Sequence, residues 1–392
     1  MKFERKLLID HLAGTFLCAL LSAWIRAVAV VFPFRRGGPP APRAILFVKF
    51  VGIGSISRFS FLLRACRQKY PEARLLFLAF PECARFAALY EEIHEVFAVR
   101  DHNIFTLGWD TLRALVWCRR RRADWVVDLE VHSKYSSLVS ALTGAGKRAG
   151  FHNVSSRFRR DLYTQLVYWN PLRHVDESYR QMAGALGLDI SCARPRPFTP
   201  DTEKKKLEEF LRGLGVRPSD KLLCVNPNSG PLSLERRWPA EHFAQMISSL
   251  PPDGTLHVLL LGGRNEKNYV ESVKMLAGNG QNRHVHNTAG ALSLPMLIEL
   301  LKKTTLLVTN DSGPLHLADL FETPTLSLWG PTIPELYGPS SKNHKTFYQP
   351  IYCSPCVHIT EAPPCGGDNQ CLKRLPWQPV SREIAVRLGY PS

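Results

Sequence analysis

The stretch AILFVKFVGIGSISRFSFLLRACRQKYPEARLLFLAF, residues 44–80, decides the fold. It opens with an apolar run, Ala44–Phe50, that ends in a glycine turn, and it closes with a second apolar run, Arg74–Phe80. Between them, Ser57–Tyr70 carries apolar residues at helical spacing and stops before Pro71. Short apolar runs of this kind are typical of strands that are buried on both faces. The order strand, glycine turn, helix, strand therefore predicts a βαβ unit with parallel strands.

The same alternation continues along the chain, with a Pro-rich and then charged connection, Ala193–Asp220, in the middle. Further strands are predicted at Glu95–Val99, Trp125–Leu129, Lys221–Asn226, Leu256–Leu261, Thr305–Thr309 and Thr325–Trp329. Helices are predicted at Thr111–Arg121, Ala240–Leu250, Glu266–Leu276, Pro295–Lys302 and Ser381–Leu388. The pattern predicts an α/β fold in which two Rossmann-like, doubly wound domains face a cleft. Their expected bounds are 1–43 for an N-terminal apolar helix and linker, 44–195 and 221–375 for the two domains, 196–220 for the connection, and 376–392 for a helix that returns to the first half.

Composition and charge narrow the class of protein. The chain has 392 residues, of which 45% are hydrophobic and 21% charged, which excludes disordered, collagen-like and multi-span membrane proteins. Fifty Lys and Arg against 34 Asp and Glu give a formal charge of +16, so polyanionic partners are favoured. The basic residues cluster in Arg119–Arg122, Lys147–Arg148 and Arg157–Arg160 without interleaved aromatic residues. Nucleic acid is therefore not expected as a partner, whereas anionic lipid and phosphorylated substrates are.

The N-terminal segment Leu12–Phe34 is strongly apolar and allows four interpretations. Its length suits a transmembrane helix, but Arg26 in its interior is costly there. A basic start and a small-residue site are typical of a signal peptide, but Asp10 dilutes the start and Arg26 stands directly before the site. Packing on the protein itself is a further alternative. On a helix, one narrow polar stripe is formed by His11, Thr15, Ser22 and Arg26. We expect this helix to lie in a membrane interface, with Arg35 and Arg36 among lipid phosphates.

Four loops follow predicted strands of the second half, where the carboxyl ends of parallel strands bind ligands. Small polar residues let backbone amides approach a phosphate, and an arginine adds a bidentate contact. A carboxylate accepts from a ribose hydroxyl pair. The candidate residues of these loops are Asn228, Ser229, Gly230, Arg236, Glu266, Asp311, Ser312, Gly313, His316 and Thr332. Each loop alone is better explained as a turn or a helix cap, but four at one edge of a sheet favour a diphosphate site.

These segments resemble glycosyltransferase family 9, the ADP-heptose:lipopolysaccharide heptosyltransferases, over roughly residues 44–375. The most specific segments are Val308–Ala318 (VTNDSGPLHLA) and Leu328–Thr332 (LWGPT), and Ile45–Leu63 and Arg236–Pro239 (RRWP) are also typical. The resemblance implies a two-domain GT-B fold and transfer, with inversion, from an ADP-sugar donor. The donor is expected to be ADP-L-glycero-D-manno-heptose, with no cofactor required.

The resemblance also implies roles for individual residues. Ser229 and Gly230 would meet the diphosphate, Arg236 would stand where the family usually has a lysine, and Glu266 would hold the ribose. The pyrophosphate and sugar end would be formed by Asp311, Ser312, Gly313 and His316. The first domain would receive a phosphorylated lipid A–core saccharide or a similar anionic glycolipid. The protein is then expected in the cytoplasm, at the inner face of the bacterial inner membrane.

The first glycine loop departs from the family, because Gly54-Ser55 stands where many members carry Gly-Asp with the proposed general base. A neutral serine cannot take a proton near pH 7 without a base of its own. Glu130 or His132, at the end of a predicted strand, is one alternative base, and the chain is similar to a branch that pairs Gly-Ser with Asp-x-Glu. Assistance by Asp311 is another. A non-catalytic sugar-nucleotide-binding or assembly homologue, or a transferase for a different nucleotide sugar, remains the rival function.

The cysteines allow one metal hypothesis. Ten cysteines in this chain are too few for a disulfide scaffold, and those outside the C-terminal group are expected to be reduced core thiols. The four late cysteines resemble a metal-knuckle spacing: Cys353, Cys356, Cys365 and Cys371. A structural zinc ion and reduced loop thiols are alternative interpretations, since the second pair lacks the two-residue spacing of zinc sites.

Overall fold

A computed structural model describes residues 3–31, 41–230, 234–278, 284–357, 359–360 and 363–390. The chain forms two compact units, Met1–Phe198 and Thr199–Ser392. Each unit is built on a parallel six-stranded sheet. The α/β prediction is therefore confirmed, with two doubly wound sheets. The division between the two units, after Phe198, falls within the predicted connection 196–220.

The first unit has strand order β3-β2-β1-β4-β5-β6. Its strands are β1 Ala44–Val48, β2 Arg74–Ala79, β3 Glu95–Ala98, β4 Trp125–Asp128, β5 Lys147–His152 and β6 Gln165–Tyr168. Its helices are α1 Phe3–Val31, α2 Ile53–Lys69, α3 Pro81–Ala87, α4 Ile104–Arg120, α5 Lys134–Leu142 and α6 Val175–Ala185, with a 3₁₀ helix at Val154–Arg159. All five residues of β1 are buried, as expected for a central strand that is covered on both faces.

Local signals explain where the helices of the first unit begin. Gly52 precedes α2 with φ of 95°, a backbone conformation that glycine adopts without steric cost. Asn103 and Thr106 form a reciprocal capping box at the start of α4. Ser133 caps α5 through a hydrogen bond from the Ser136 amide. The glycine turn predicted after the first strand is thus the device that starts α2.

The second unit has strand order β12-β11-β10-β7-β8-β9. Its strands are β7 Lys221–Asn226, β8 Leu256–Leu260, β9 His284–Asn287, β10 Leu306–Asn310, β11 Thr325–Trp329 and β12 His344–Tyr348. Its helices are α7 Asp201–Gly213, α8 Ala240–Ser248, α9 Lys267–Ala277, α10 Leu294–Lys303, α11 Gly313–Phe321, α12 Pro334–Tyr337, α13 Gln370–Lys373 and α14 Trp377–Arg387, with 3₁₀ helices at Leu234–Arg236 and Arg264–Glu266.

The C-terminal helix packs differently from the expectation. We expected this segment to return to the first half. The structure places Val380, Ile384 and Leu388, on and just after α14, in the hydrophobic core of the second unit. They are fully or almost fully buried there, and α14 contacts α8. Burial of this apolar face against the second sheet explains its position.

The N-terminal helix α1 packs against α5 of the first unit. Cys18 is completely buried, and Leu21 and Ile25 pack around it with side chains of α5 and the 3₁₀ helix. The carboxylate of Asp10 accepts hydrogen bonds from the backbone amides of Lys134 and Tyr135, the first turn of α5. Packing on the protein is thus confirmed for one face of the helix.

The other face of α1 is apolar and exposed, with Phe16 at 65% and Trp24 at 63% exposure. In the predicted polar stripe, Ser22 is buried and Arg26 pairs with Asp161, so the stripe does not form one solvent face. Within the described ranges, the structure has no helix that combines the length and the hydropathy needed to cross a bilayer. Arg35, Arg36 and the side chain of His11 lie outside the described residues.

Candidate functional site

The four predicted loops of the second unit converge at one edge of its sheet. Strands β11, β10, β7 and β8 are consecutive neighbours and all parallel, so their carboxyl ends lie side by side. The loops that follow them contain the donor-site candidates named above. This is the edge at which doubly wound sheets bind ligands. The structure therefore brings these candidates to one place.

Two buried asparagines, which were not among the predicted site residues, hydrogen-bond these loops to one another. The Asn226 side-chain amide donates to Thr309 Oγ1 at 3.0 Å and to Ser312 Oγ at 2.9 Å. Asn310 donates to the carbonyl of Pro227 at 3.0 Å and accepts from the amide of Trp238 at 3.0 Å. Each is at the last position of its strand, which is the signal that could have identified them.

Helix α11 begins at this edge with an uncapped N-terminus. Its N-cap residue, Ser312, has extended backbone angles, and among the described residues no side chain caps the helix. The Ser312 hydroxyl is instead held by Asn226, and Gly313 and Pro314 open the helix. The first amides of an α-helix have no partner within the helix, and its dipole is positive at this end. An anionic group fits here.

Asp311, Arg236, Thr332 and His316 form a compact polar cluster beside α11. The Asp311 carboxylate accepts from Arg236 Nη1 at 3.2 Å and from Thr332 Oγ1 at 2.9 Å, and His316 Nε2 lies 3.8 Å away. Asp311 is almost fully buried. Its Oδ2 thus accepts both hydrogen bonds. Asp311 thereby fixes the direction of the Arg236 guanidinium.

Several buried polar atoms at this edge have no hydrogen-bond partner in the described part of the chain. These atoms are Arg236 Nε, Arg237 Nε and Asn228 Oδ1. A buried donor or acceptor without a partner costs free energy, typically about 1–3 kcal/mol. Arg237 also stacks 4.3 Å from the centroid of the Tyr269 ring. A polar, anionic ligand would satisfy these atoms.

Glu266 occupies the neighbouring loop, where a ribose was predicted to bind. Its carboxylate accepts from the Gly263 amide at 2.8 Å and lies 3.6 Å from Arg237. Ser229 is buried in the loop after β7, and Gly230 has φ of 74°, which favours glycine. These residues therefore share the edge with the Asp311 cluster.

In the first unit, the Glu130 carboxylate is engaged in three hydrogen bonds. Its Oε2 accepts from Lys49 Nζ at 2.8 Å, and Oε1 accepts from the amides of Phe50 at 2.8 Å and Val51 at 3.2 Å. Glu130 and Lys49 are both only 7% exposed. Both carboxylate oxygens of Glu130 are therefore already engaged within the first unit. The geometry assigns Glu130 to holding the turn that precedes α2, and Lys49 was missed because it precedes the glycine turn in an apolar run.

A second buried ion pair supports the same edge. Arg159 donates to the Asp128 carboxylate at 2.6 Å, and both side chains are fully buried. Tyr163 and Ser136 also donate to Asp128. Burial raises the pKa of the Tyr163 hydroxyl, which keeps it a donor. This network fixes the segment after β4, on which Glu130 and His132 lie.

His132 is the titratable residue on this segment with an available lone pair. Ser155 donates to Asn153 Oδ1 at 2.7 Å and lies 3.2 Å from His132 Nδ1, and we therefore assign the imidazole proton to Nδ1. Desolvation of the ring and the cations Arg159 and Lys49 lower the pKa of His132. The imidazole is therefore neutral at pH 7, and its Nε2 can accept a proton.

Gly54 and Ser55 lie in the first turn of α2. The Ser55 hydroxyl hydrogen-bonds the Tyr179 side chain, and Tyr179 is buried. The nearby Arg58 pairs with Asp176 at 2.9 Å. Ser55 is thus part of a packed polar layer, and no carboxylate replaces the family's aspartate at this position.

The late cysteines do not assemble a metal centre in the described residues. Cys356 and Cys371 are buried, and Cys353 and Cys365 are partly exposed. Burial raises the pKa of the Cys356 and Cys371 thiols. Within the described ranges, these thiols are not among the groups whose ligand atoms are close enough to share one ion.

Comparisons with known proteins point to one family. The sequence model of glycosyltransferase family 9 (heptosyltransferase) matches residues 114–365. Lipooligosaccharide heptosyltransferase 2 of Haemophilus influenzae is 31% identical over 309 residues, 76% of this chain and 86% of that protein. The structure of Escherichia coli ADP-heptose LPS heptosyltransferase II superposes with a TM-score of 0.70 at 21% identity, covering 88% of this chain and 98% of that one. E. coli heptosyltransferase WaaC, solved with ADP, gives 0.64 at 19% identity and covers 88% and 99%.

Proposed function

The chain belongs to glycosyltransferase family 9, and on that premise we propose that it transfers heptose from ADP-heptose to the saccharide core of an anionic glycolipid, with inversion. The observation that carries the proposal is the convergence of four polar loops on the uncapped N-terminus of α11, beside buried arginine nitrogens without partners. The names of the relatives and the ADP found with one structural neighbour support the donor.

The second unit binds the donor in this proposal. The diphosphate lies at the amides of Gly313 and Ser229–Gly230, and Arg236 contributes a charge-assisted contact through Nε. Glu266 accepts from the ribose hydroxyls. Since Asp311 holds Arg236 in place, it acts as a positioning residue. The arrangement stabilises the negative charge that develops on the departing ADP.

The first unit supplies the base. The acceptor hydroxyl attacks the anomeric carbon, the new glycosidic bond forms as the bond to ADP breaks, and the hydroxyl proton passes to His132 Nε2. General-base catalysis of this kind typically contributes about 10²–10⁴-fold. Lys49 and Glu130 hold the turn before α2, so that the backbone beside the acceptor is fixed. A histidine base explains how the chain works with Ser55 in place of the family's aspartate.

We also propose that the first unit attaches peripherally to the membrane that carries the acceptor, at its cytoplasmic face. Helices α1 and α4 both contact α5 and both expose apolar faces. On α4, one helical stripe is exposed: Phe105, Trp109, Leu112 and Val116. Exposed Arg119 and Arg120 follow in the last turn of the helix. Apolar side chains with adjacent cations suit an anionic bilayer surface.

Titration of ADP and a transfer assay test the donor site. We expect ADP to bind the full chain and Arg236→Gln to weaken that binding about 10- to 100-fold, because a charge-assisted contact is lost. Arg212→Gln, at an exposed position in the last turn of α7 and away from the four loops, is the matched control and should bind as the wild type does. A panel of nucleotide sugars with a truncated core acceptor should show transfer from ADP-heptose. ADP binding without transfer from any donor would identify a binding homologue instead.

Vesicle flotation tests the membrane proposal. We expect the full chain to float with vesicles that contain phosphatidylglycerol and less with neutral vesicles. Phe105→Ser with Trp109→Ser should reduce the bound fraction, whereas Leu172→Ser, an 82% exposed residue of the same unit, should not. Equal flotation of all three proteins would contradict a role of α4.

A further inference from the structure

Three histidines meet at the amino ends of two neighbouring strands in the second unit. His257 on β8 and His284 on β9 are direct partners in the parallel register, and His286 follows two residues later on the same face of β9. β9 is the outermost strand on one side of the sheet. The donor loops follow the carboxyl ends of the strands, whereas this cluster lies toward the amino ends, away from the site described above.

The geometry of the cluster suits a shared ion. The candidate ligand nitrogens of all three rings lie within 4.8 Å of one another. His257 Nδ1 and His286 Nε2 are 3.2 Å apart. Two imidazole nitrogens on one tetrahedral zinc ion, at about 2.0–2.1 Å each, are separated by about 3.3 Å. The spacing of His257 and His286 therefore needs little adjustment, although ion binding would replace the present hydrogen bond between these two rings.

A buried carboxylate prepares His257 for this role. Asp220, just before β7, lies 3.3 Å from His257 Nε2, and both side chains are nearly inaccessible to solvent. His257 donates from Nε2 to Asp220, which leaves the Nδ1 lone pair directed at His286. Carboxylates that orient a metal-bound histidine from its far side are a recurrent feature of metal centres.

Access from solvent also favours the site. His284 is exposed and stacks on His257 with centroids 4.6 Å apart, so an ion can reach the cluster from solvent.

We propose that His257, His284 and His286 bind one divalent transition-metal ion such as Zn²⁺, with Asp220 orienting His257. Three imidazoles suit the borderline-soft ions of the late first transition row. The bound ion would link β8 and β9 and, through Asp220, the start of β7. Its role is thus to brace the outer strands of the second sheet, separately from sugar transfer.

Titration calorimetry with Zn²⁺ on the untagged full chain tests the proposal. We expect one ion per chain at this site and at least a 10-fold loss of affinity in His284→Asn with His286→Asn. Asp220→Asn keeps an acceptor for the Arg217 amide but loses the charge, and it should weaken binding about 10- to 100-fold. His102→Asn, an exposed histidine of the first unit, is the control and should leave binding unchanged.

Cobalt(II) absorption separates this site from the cysteines. Binding at the histidines gives ligand-field bands without thiolate charge-transfer absorption, and these bands should disappear in the double variant. Zinc should also raise the melting temperature of the wild type but not of the double variant. The proposal is overturned if the wild type binds no ion, if the double variant binds as tightly, or if the absorption is that of thiolate ligation alone.

Discussion

The carboxyl edges of the two sheets differ in how far their buried charged side chains are satisfied by hydrogen bonds. In the first unit, the buried charges pair with one another, as Lys49 does with Glu130 and Arg159 with Asp128. In the second unit, Arg236 and Arg237 also pair with carboxylates, but the Nε atoms of both guanidinium groups lack partners within the described residues.

This difference teaches how each edge is expected to work. A network of satisfied charges is rigid and binds nothing through those charges, but breaking one pair is costly. An edge with unsatisfied donors is completed by its ligand and stabilises charge that develops there. We therefore assign scaffolding to the paired charges of the first edge and anion binding to the second. The predictions below test that assignment.

The largest effect is expected at His132, which we propose as the base. It lies at the carboxyl edge of the first sheet but is not part of the ion pairs. His132→Gln should lower kcat about 10²–10⁴-fold with little change in the KM for ADP-heptose, because proton removal is lost while donor binding is kept. Since the neutral imidazole is the active form and the pKa of His132 is lowered, wild-type activity should fall only at pH values below about 6.5.

The pH profile of the variant is the sharper measurement. The acid limb of kcat should disappear in His132→Gln, whereas Ser155→Ala should keep it with a modest loss of rate. If Glu130→Gln removes the limb and His132→Gln does not, Glu130 is the base and the assignment of the first edge is wrong.

The next effect concerns stability. Arg159→Met leaves the fully buried Asp128 without its cation, and we expect the free energy of unfolding of the first unit to fall by about 3–5 kcal/mol. Chemical denaturation followed by tryptophan fluorescence measures it. Arg26→Met removes an exposed partner of Asp161 and should cause no measurable change. Equal stabilities of the two variants would show that the buried network does not brace the edge.

The smallest effect is expected at Asp311. Asp311→Asn keeps the acceptor for Thr332 but weakens the hold on Arg236, so kcat/KM should fall about 10-fold, mainly through donor binding. The KM for ADP-heptose and the dissociation constant of ADP should both rise. A loss of about 10³-fold in kcat alone would instead make Asp311 catalytic.

The sequence predicted the central strands well because they are continuous apolar runs. All predicted strands are present, with ends that agree to within two residues. It missed β5, β6, β9 and β12, which lie at or next to sheet edges. Polar segments such as His284–Asn287 and His344–Tyr348 carry no apolar run, and their pairing depends on neighbours that only the fold supplies.

The site could be predicted as a set of loops but not as a set of contacts. The strand-end motifs around Asn310 and Gly330 correctly predicted that these loops lie at one edge of the sheet, since parallel strands end together. Their role in donor binding stays a prediction. The engagement of Glu130 by Lys49 could not be inferred, because the two residues are 81 positions apart and both look like ordinary charges in the sequence. The histidine cluster was not predicted, because His257 meets His284 and His286 only through the pairing of β8 with β9. The metal hypothesis for the cysteines was based on their spacing alone.

The seating of α1 has a practical consequence for protein production. An apolar N-terminal helix invites removal, but Asp10 satisfies two amides at the start of α5, and Cys18 fills a pocket with Leu162 and Tyr163. Deleting everything before residue 41 would uncover Leu138, Ala141, Phe158 and Leu166. The shortened protein would lose the exposed apolar face of α1 but would expose the apolar side chains that α1 covers. The intact chain in mild detergent is therefore the better route to a monodisperse sample.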